Sequence, residues 1–169
     1  VGAGVSVSII SAIGQGTNTS VTTVSANEFD PTPANATAVS SVVGTSTTPQ
    51  FANSDIIILP LPSAGAADPY PSPILVSGVT AAVQQVIVTL RGLNHDYPDD
   101  IDILLVGPHG QTVILMSDAG SDNPIADATV IFDDVLGLPL PDSSPAISSG
   151  HYAPFNYPPF NDTFPAPAP

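Results

Sequence analysis

From Ile101 to Ser117 the chain alternates around a single tight turn. Ile101, Ile103 and Leu105 fall on one face at a period of two, and Asp100, Asp102, Leu104 and Val106 fall on the other. Gly107-Pro-His-Gly110 supplies the residues a tight turn needs. Residues 111–117 then read as the return strand. Such a hairpin cannot stand alone in water, so it calls for further strands to cover its apolar face.

The rest of the chain has the composition to provide them. The 169 residues suit one domain, or one domain plus a smaller one. Hydrophobic residues make up 43%, enough for a core, while 20 prolines and 13 glycines work against helices. No window carries a sustained apolar repeat at 3.6 residues. Short Val/Ile/Thr runs separated by Pro, Gly, Asn and Asp predict an all-β chain. Strands are expected over residues 5–13, 20–26, 36–45, 55–59, 74–77, 82–90 and 128–132 besides the hairpin. Residues 46–55 are polar, and a linker is expected within them at 49–55. This divides the chain into a β segment at 1–48 and a main domain at 56–169. The tail from Tyr152 to Phe164 holds five aromatics, and its prolines predict an extended strap over the main domain rather than a strand.

Charge excludes several functions. Arg91 is the only basic residue against 15 acidic ones, for a net charge of −14. Such a chain has no electrostatic grip on nucleic acid or on an anionic membrane. Without lysine it cannot form a lysine isopeptide cross-link. Without cysteine it has no disulfide, thiolate metal site or cysteine nucleophile. No apolar run approaches a membrane span. No basic stretch precedes Val1, so no signal peptide is read there, and the chain is expected to be a processed product or a piece of a longer precursor. Arg91, as the lone cation, is expected to pair with a nearby Asp or with the Asp96–Asp102 loop.

Four short pieces occur in a telling order: His95 through Asp102, Gly107-Pro108 with Gly110, Ser117-Asp-Ala-Gly120, and Phe132-Asp-Asp134. Together they resemble the P domain, the β-sandwich that follows the catalytic domain in proprotein convertases and many bacterial subtilisin-like proteases. The resemblance covers about residues 51–169 and implies a jelly-roll β-sandwich. Upstream, the run from Val21 to Val39 resembles the last strands of an immunoglobulin-like repeat of bacterial surface proteins, with Thr32 and Ala36 where that family has Asn. About three strands of that repeat are present, where a full sandwich needs about seven. Both resemblances imply an extracellular or cell-surface location.

Acidic loops suggest the chemistry. Asp96, Asp99, Asp100 and Asp102 lie close in sequence, and Asp118, Asp122, Asp133 and Asp134 fall at neighbouring strand ends if the P-domain order holds. Calcium takes six to eight oxygens of this kind, and crowded carboxylates repel one another unless a cation joins them. These eight residues are the candidate ligands, weighed against a solvated acidic rim in which Asp serves the turns. His95, His109 and His151 lack zinc-like spacing. No serine stands in a nucleophile elbow, so no enzyme is expected. Asn18, Asn35 and Asn161 open glycan sequons.

The leading functional expectation is a structural subunit of a surface filament or layer. Val5, Val7 and Ile9 alternate in a terminal strand of the kind used in donor-strand complementation. With Val21, Val24, Val39 and Val42 they form the expected subunit contact with a second copy. The alternative is a calcium-binding accessory or glycan-binding module of a secreted protein.

Overall fold

The computed structural model describes the backbone outside residues 1–3, 12–16, 24–36, 44–47, 61–63 and 81, and side chains from residue 48 onward outside the same gaps. The fold is all-β. Its strands are β1 (Gly4–Ser11), β2 (Thr17–Thr23), β3 (Thr37–Val43), β4 (Gln50–Ile58), β5 (Val86–His95), β6 (Ile103–Val106), β7 (Thr112–Ser117), β8 (Ile125–Phe132), β9 (Leu138–Pro139), β10 (Gly150–Ala153) and β11 (Phe155–Asn156). One 3-10 turn, Pro98–Asp100, lies between β5 and β6. Among the described residues, no helix is long and apolar enough to cross a membrane.

Six strands form one sheet in the order β4-β1-β5-β8-β10-β9, and three form a second in the order β11-β7-β6. Among the described residues, β2 and β3 pair only with one another. The hairpin expected from the alternation is present, with Leu105 opposite Val113 and Val106 opposite Thr112. The other elements needed for the core follow from composition. Val88, Thr89 and Leu90 are consecutive and all buried, so β5 is covered on both faces, as an interior strand must be. Val88, Leu90, Leu93, Val130 and Phe132 from the large sheet meet Leu115 and Met116 from the small one in a single core. Gly92 sits at φ +67 where the β5–β8 register slips, a backbone state that glycine enters without strain.

Four expectations are corrected. Residues 50–55 of the expected linker belong to β4, which runs from Gln50 to Ile58. Phe51, Asn53 and Ile57 are half-buried on it while Ala52, Ser54 and Ile56 are exposed, the alternation that polar composition concealed. β1, expected to belong to a separate N-terminal segment, is an interior strand of the large sheet. It is antiparallel to both β4 and β5, with Ile10 opposite Gln50 and Ser11 opposite Val86. The run at 74–77 is not a strand. The tail is more than a strap: β10 pairs in parallel with β8 and β9, and β11 with β7. Proline is tolerated there because these segments are short and Pro154 lies between them.

Both outer edges of the large sheet carry proline. β9 is two residues long and ends in Pro139. Along β4, on the side away from β1, runs the Pro-rich segment 68–73. Ile58 N–H donates to Asp68 O at 2.8 Å and Asp68 N–H returns to Ile58 O at 2.9 Å. Asn53 Nδ2 donates to Ser72 Oγ at 3.1 Å and to Pro73 O at 3.2 Å. The hydroxyl of Tyr70 ties this segment to the tail through Pro165 O at 2.9 Å. Prolines leave such an edge without donors, which discourages another strand from adding to it.

Candidate functional site

The acidic loops meet at the end of the small sheet. β7 ends at Ser117, whose side chain is fully buried. β11 runs beside it, with Asn156 opposite Ser117, and this pairing carries the following tail back over the same spot. Tyr157 N–H donates to Ser117 O at 3.2 Å and closes the approach.

Three carboxylates gather round the Ser117 hydroxyl. Its Oγ lies 2.6 Å from Asp102 Oδ1, 2.8 Å from Asp162 Oδ1 and 3.4 Å from Asp118 Oδ2. Asn156 Nδ2 donates to Asp162 Oδ2 at 2.8 Å, and Asn156 Oδ1 is buried without a donor among the described residues. A serine hydroxyl has one proton to give. It can satisfy one of the two close carboxylates, and the other meets an oxygen lone pair. Asp118 stands on a left-handed residue, φ 51, which a short polar side chain tolerates.

The electrostatics agree with the geometry. The Asp102 carboxyl is held above the usual carboxylate range, chiefly by burial, with Asp162, Asp100 and Asp99 adding like charge and the Ser117 hydrogen bond opposing the rise. Asp118 is raised too, by burial first and then by Asp162 and Asp102. No described residue supplies a positive charge here: Arg91 is exposed on β5 opposite Ser6. The expected pair between Arg91 and the 96–102 loop is therefore not seen among the described residues. An exposed guanidinium keeps its hydration, and little is gained by holding a long side chain in one geometry.

The expected ligands divide into two groups. Asp102 and Asp118 meet at Ser117, and Asp99 and Asp100 stand nearby in the 3-10 turn, exposed, close enough to raise Asp102. Asp96 and Asp122 are exposed at the flanks, and Asp122 Oδ1 is 3.5 Å from Ser121 Oγ. Asp133 and Asp134 are placed elsewhere, contrary to the expected convergence. β8 begins after the loop that holds Asp118 and Asp122 and ends before Asp133, so the strand separates them by about 25 Å. Asp133 is buried and shapes a turn: its Oδ1 accepts from Gln85 Nε2 at 2.7 Å, Val135 N–H at 2.9 Å and Leu136 N–H at 3.3 Å. His95 is buried against its own loop, with Nδ1 2.6 Å from Tyr97 O and 3.1 Å from Tyr97 N.

Sequence reading missed Ser117, Asn156 and Asp162. Asp162 was visible only as the middle of a glycan sequon, and nothing local announces the parallel pairing of β11 with β7 that delivers it. Hard oxygen donors of this kind suit calcium. Among the described residues, however, no three acidic or histidine side chains already converge on a common point as a finished metal site. The carboxylates converge on a hydroxyl, and a cation would have to replace those contacts.

Of the expected subunit contacts, Val5, Val7 and Ile9 lie on β1, Val21 on β2, and Val39 and Val42 on β3. Val24 lies outside the described residues. Val7 is in register with Leu90, and Ile9 with Val88, both buried core residues. No family model matches the chain, and no curated protein or solved structure matches it.

Proposed function

We propose that this chain is a non-catalytic module of an extracellular protein, similar in kind to the P domain, that takes up calcium at Asp102, Asp118 and Asp162 and uses it to fix its loop end. The observation that carries this reading is the shortage of positive charge at Ser117. Three carboxylates share one hydroxyl proton, and Asn156 Oδ1 has no donor among the described residues. A divalent cation answers both needs.

Thermal melting in calcium and in chelator tests it. At calcium about a hundredfold above its Kd, binding contributes about 2.7 kcal/mol, a rise in Tm of about 5–10 °C for a chain of this size. The pH dependence should also change sign. In chelator, Asp102 and Asp118 hold protons more tightly folded than unfolded. Their protonation therefore stabilises the fold fully below the unfolded value near 3.8, and the contribution is lost as pH rises through the raised folded values. In calcium the same groups must be ionised to bind, so stability is lost as pH falls. Identical melting curves in calcium and chelator at every pH would sink the proposal.

A second reading, a self-assembling surface subunit, has its own support. β1 is an interior strand from the chain's first residues, and both outer edges of its sheet carry proline. Strand-mediated assembly would then exchange β1 between copies rather than add strand to edge. Deleting residues 1–13 should abolish such assemblies. Truncated chains that still form the same fibres, or a full chain that stays monomeric at every concentration in light scattering, would refute this reading.

A further inference from the structure

Ser117 and Asn156 stand side by side on neighbouring strands, and one carboxylate binds both. β11 runs parallel to β7 with Asn156 in register with Ser117, which sets the two backbones about 4.8 Å apart. Asp162 Oδ1 lies 2.8 Å from Ser117 Oγ, and Asp162 Oδ2 accepts from Asn156 Nδ2 at 2.8 Å. Asp102 Oδ1 lies 2.6 Å from the same Oγ, and Ser117 is fully buried. A hydroxyl placed only to fill a hydrogen-bond need requires one acceptor for its proton. This one has a base in contact, and a carboxamide fixed beside it on that same base. The three groups are a nucleophile, a proton carrier and an acyl carbon with a leaving nitrogen.

We infer that Ser117 and Asn156 join in a self-formed ester cross-link, with Asp162 as the catalytic residue. Ser117 Oγ bonds to Asn156 Cγ while Asp162 takes the hydroxyl proton. The tetrahedral carbon then sheds Nδ2, which receives that proton from the Asp162 carboxyl and leaves as ammonia. One C–O bond forms, one C–N bond breaks, nothing is oxidised or reduced, and Asp162 ends as it began. A free hydroxyl does not attack an amide in water at a useful rate. Well-oriented groups in one molecule react as though present at about 10⁵ M or more. Burial excludes the water that would hydrolyse the product, and the ammonia is lost to solution.

The ester closes a loop from residue 117 to residue 156. It fastens to β7 the strand that delivers the tail, a strand only two residues long. The inference goes beyond the calcium reading and does not rest on it, because the carboxylates act here on a proton.

Intact mass spectrometry of the folded full chain, kept in chelator and denatured just before measurement, tests it. The chain should be lighter than its sequence by one ammonia, about 17 Da. A peptic digest should contain one fragment that joins the β7 and β11 peptides through residues 117 and 156. Ser117→Ala should restore the mass expected for its own sequence. Asp162→Asn keeps the hydroxyl and the amide but removes the base, and it should form the cross-link at least about a hundredfold more slowly. A folded parent at its full sequence mass overturns the inference, whatever the variants do. So does a loss of ammonia that persists in Ser117→Ala or yields no joined fragment, which is the mark of a succinimide at an asparagine. Asp162→Asn that cross-links at the parent rate overturns the role given to Asp162.

Discussion

Replacing Phe132 by alanine should lower stability by about 3–5 kcal/mol, the largest loss expected from a single core truncation in this chain. Phe132 is 1% exposed and the largest of the fully buried side chains. It stands opposite Val88 at the end of β8, where the large sheet meets the small one. The surroundings are held by strands on both sides and can collapse only partly into the space left behind. For a chain of this length the loss corresponds to a fall in Tm of about 6–20 °C. Circular dichroism melts would measure it. Phe132→Leu, which keeps most of the volume, should cost less than half as much. A loss below about 1 kcal/mol for the alanine variant would mean that the core is centred elsewhere.

Gly137→Ala should be nearly as damaging, by a different route. A Cβ built on Gly137 would overlap the Tyr152 carbonyl carbon and Ala153 N. These are backbone atoms of β10 and cannot swing aside as a side-chain tip would. Either β9 leaves β10, losing the parallel pairing of Leu138 with Tyr152, or the Asp133 turn deforms. A cost on the order of 3 kcal/mol is expected. Amide exchange at residues 133–139 should rise with it. A variant that melts within about 0.5 kcal/mol of the parent would show that this approach is looser than the geometry implies.

What the sequence disclosed depended on how local the cause was. The hairpin from Ile103 to Ser117 was legible because alternation and a Gly-Pro turn act within a few residues. So were the strand character of β5 and β8, through their Val/Ile content. β4 was hidden because its half-buried positions include Asn53, whose side chain is used to fasten the segment at 72–73. β10 and β11 were hidden because proline argued against strands, while their partners β8 and β7 lie far away in sequence. The candidate site shows the same division. Asp102 and Asp118 flank the hairpin and could be read from its ends. Asp162 arrives through β11, and Ser117, the residue on which the carboxylates gather, looks like any other strand-end serine. Asp133 was grouped with them through the P-domain resemblance, and the run of β8 carries it to the other end of that strand.

The position of Arg91 decides how the folded chain meets a protease that cuts after basic residues. An enzyme that cuts after basic residues finds a single bond, Arg91–Gly92. That bond lies within β5, between β1 and β8, near the middle of a six-stranded ladder. A protease cleft needs an extended, unpaired stretch, which β5 offers only when the sheet opens. The folded chain is thereby shielded from that whole class of enzymes, and a single cut into residues 1–91 and 92–169 serves as a readout of sheet opening.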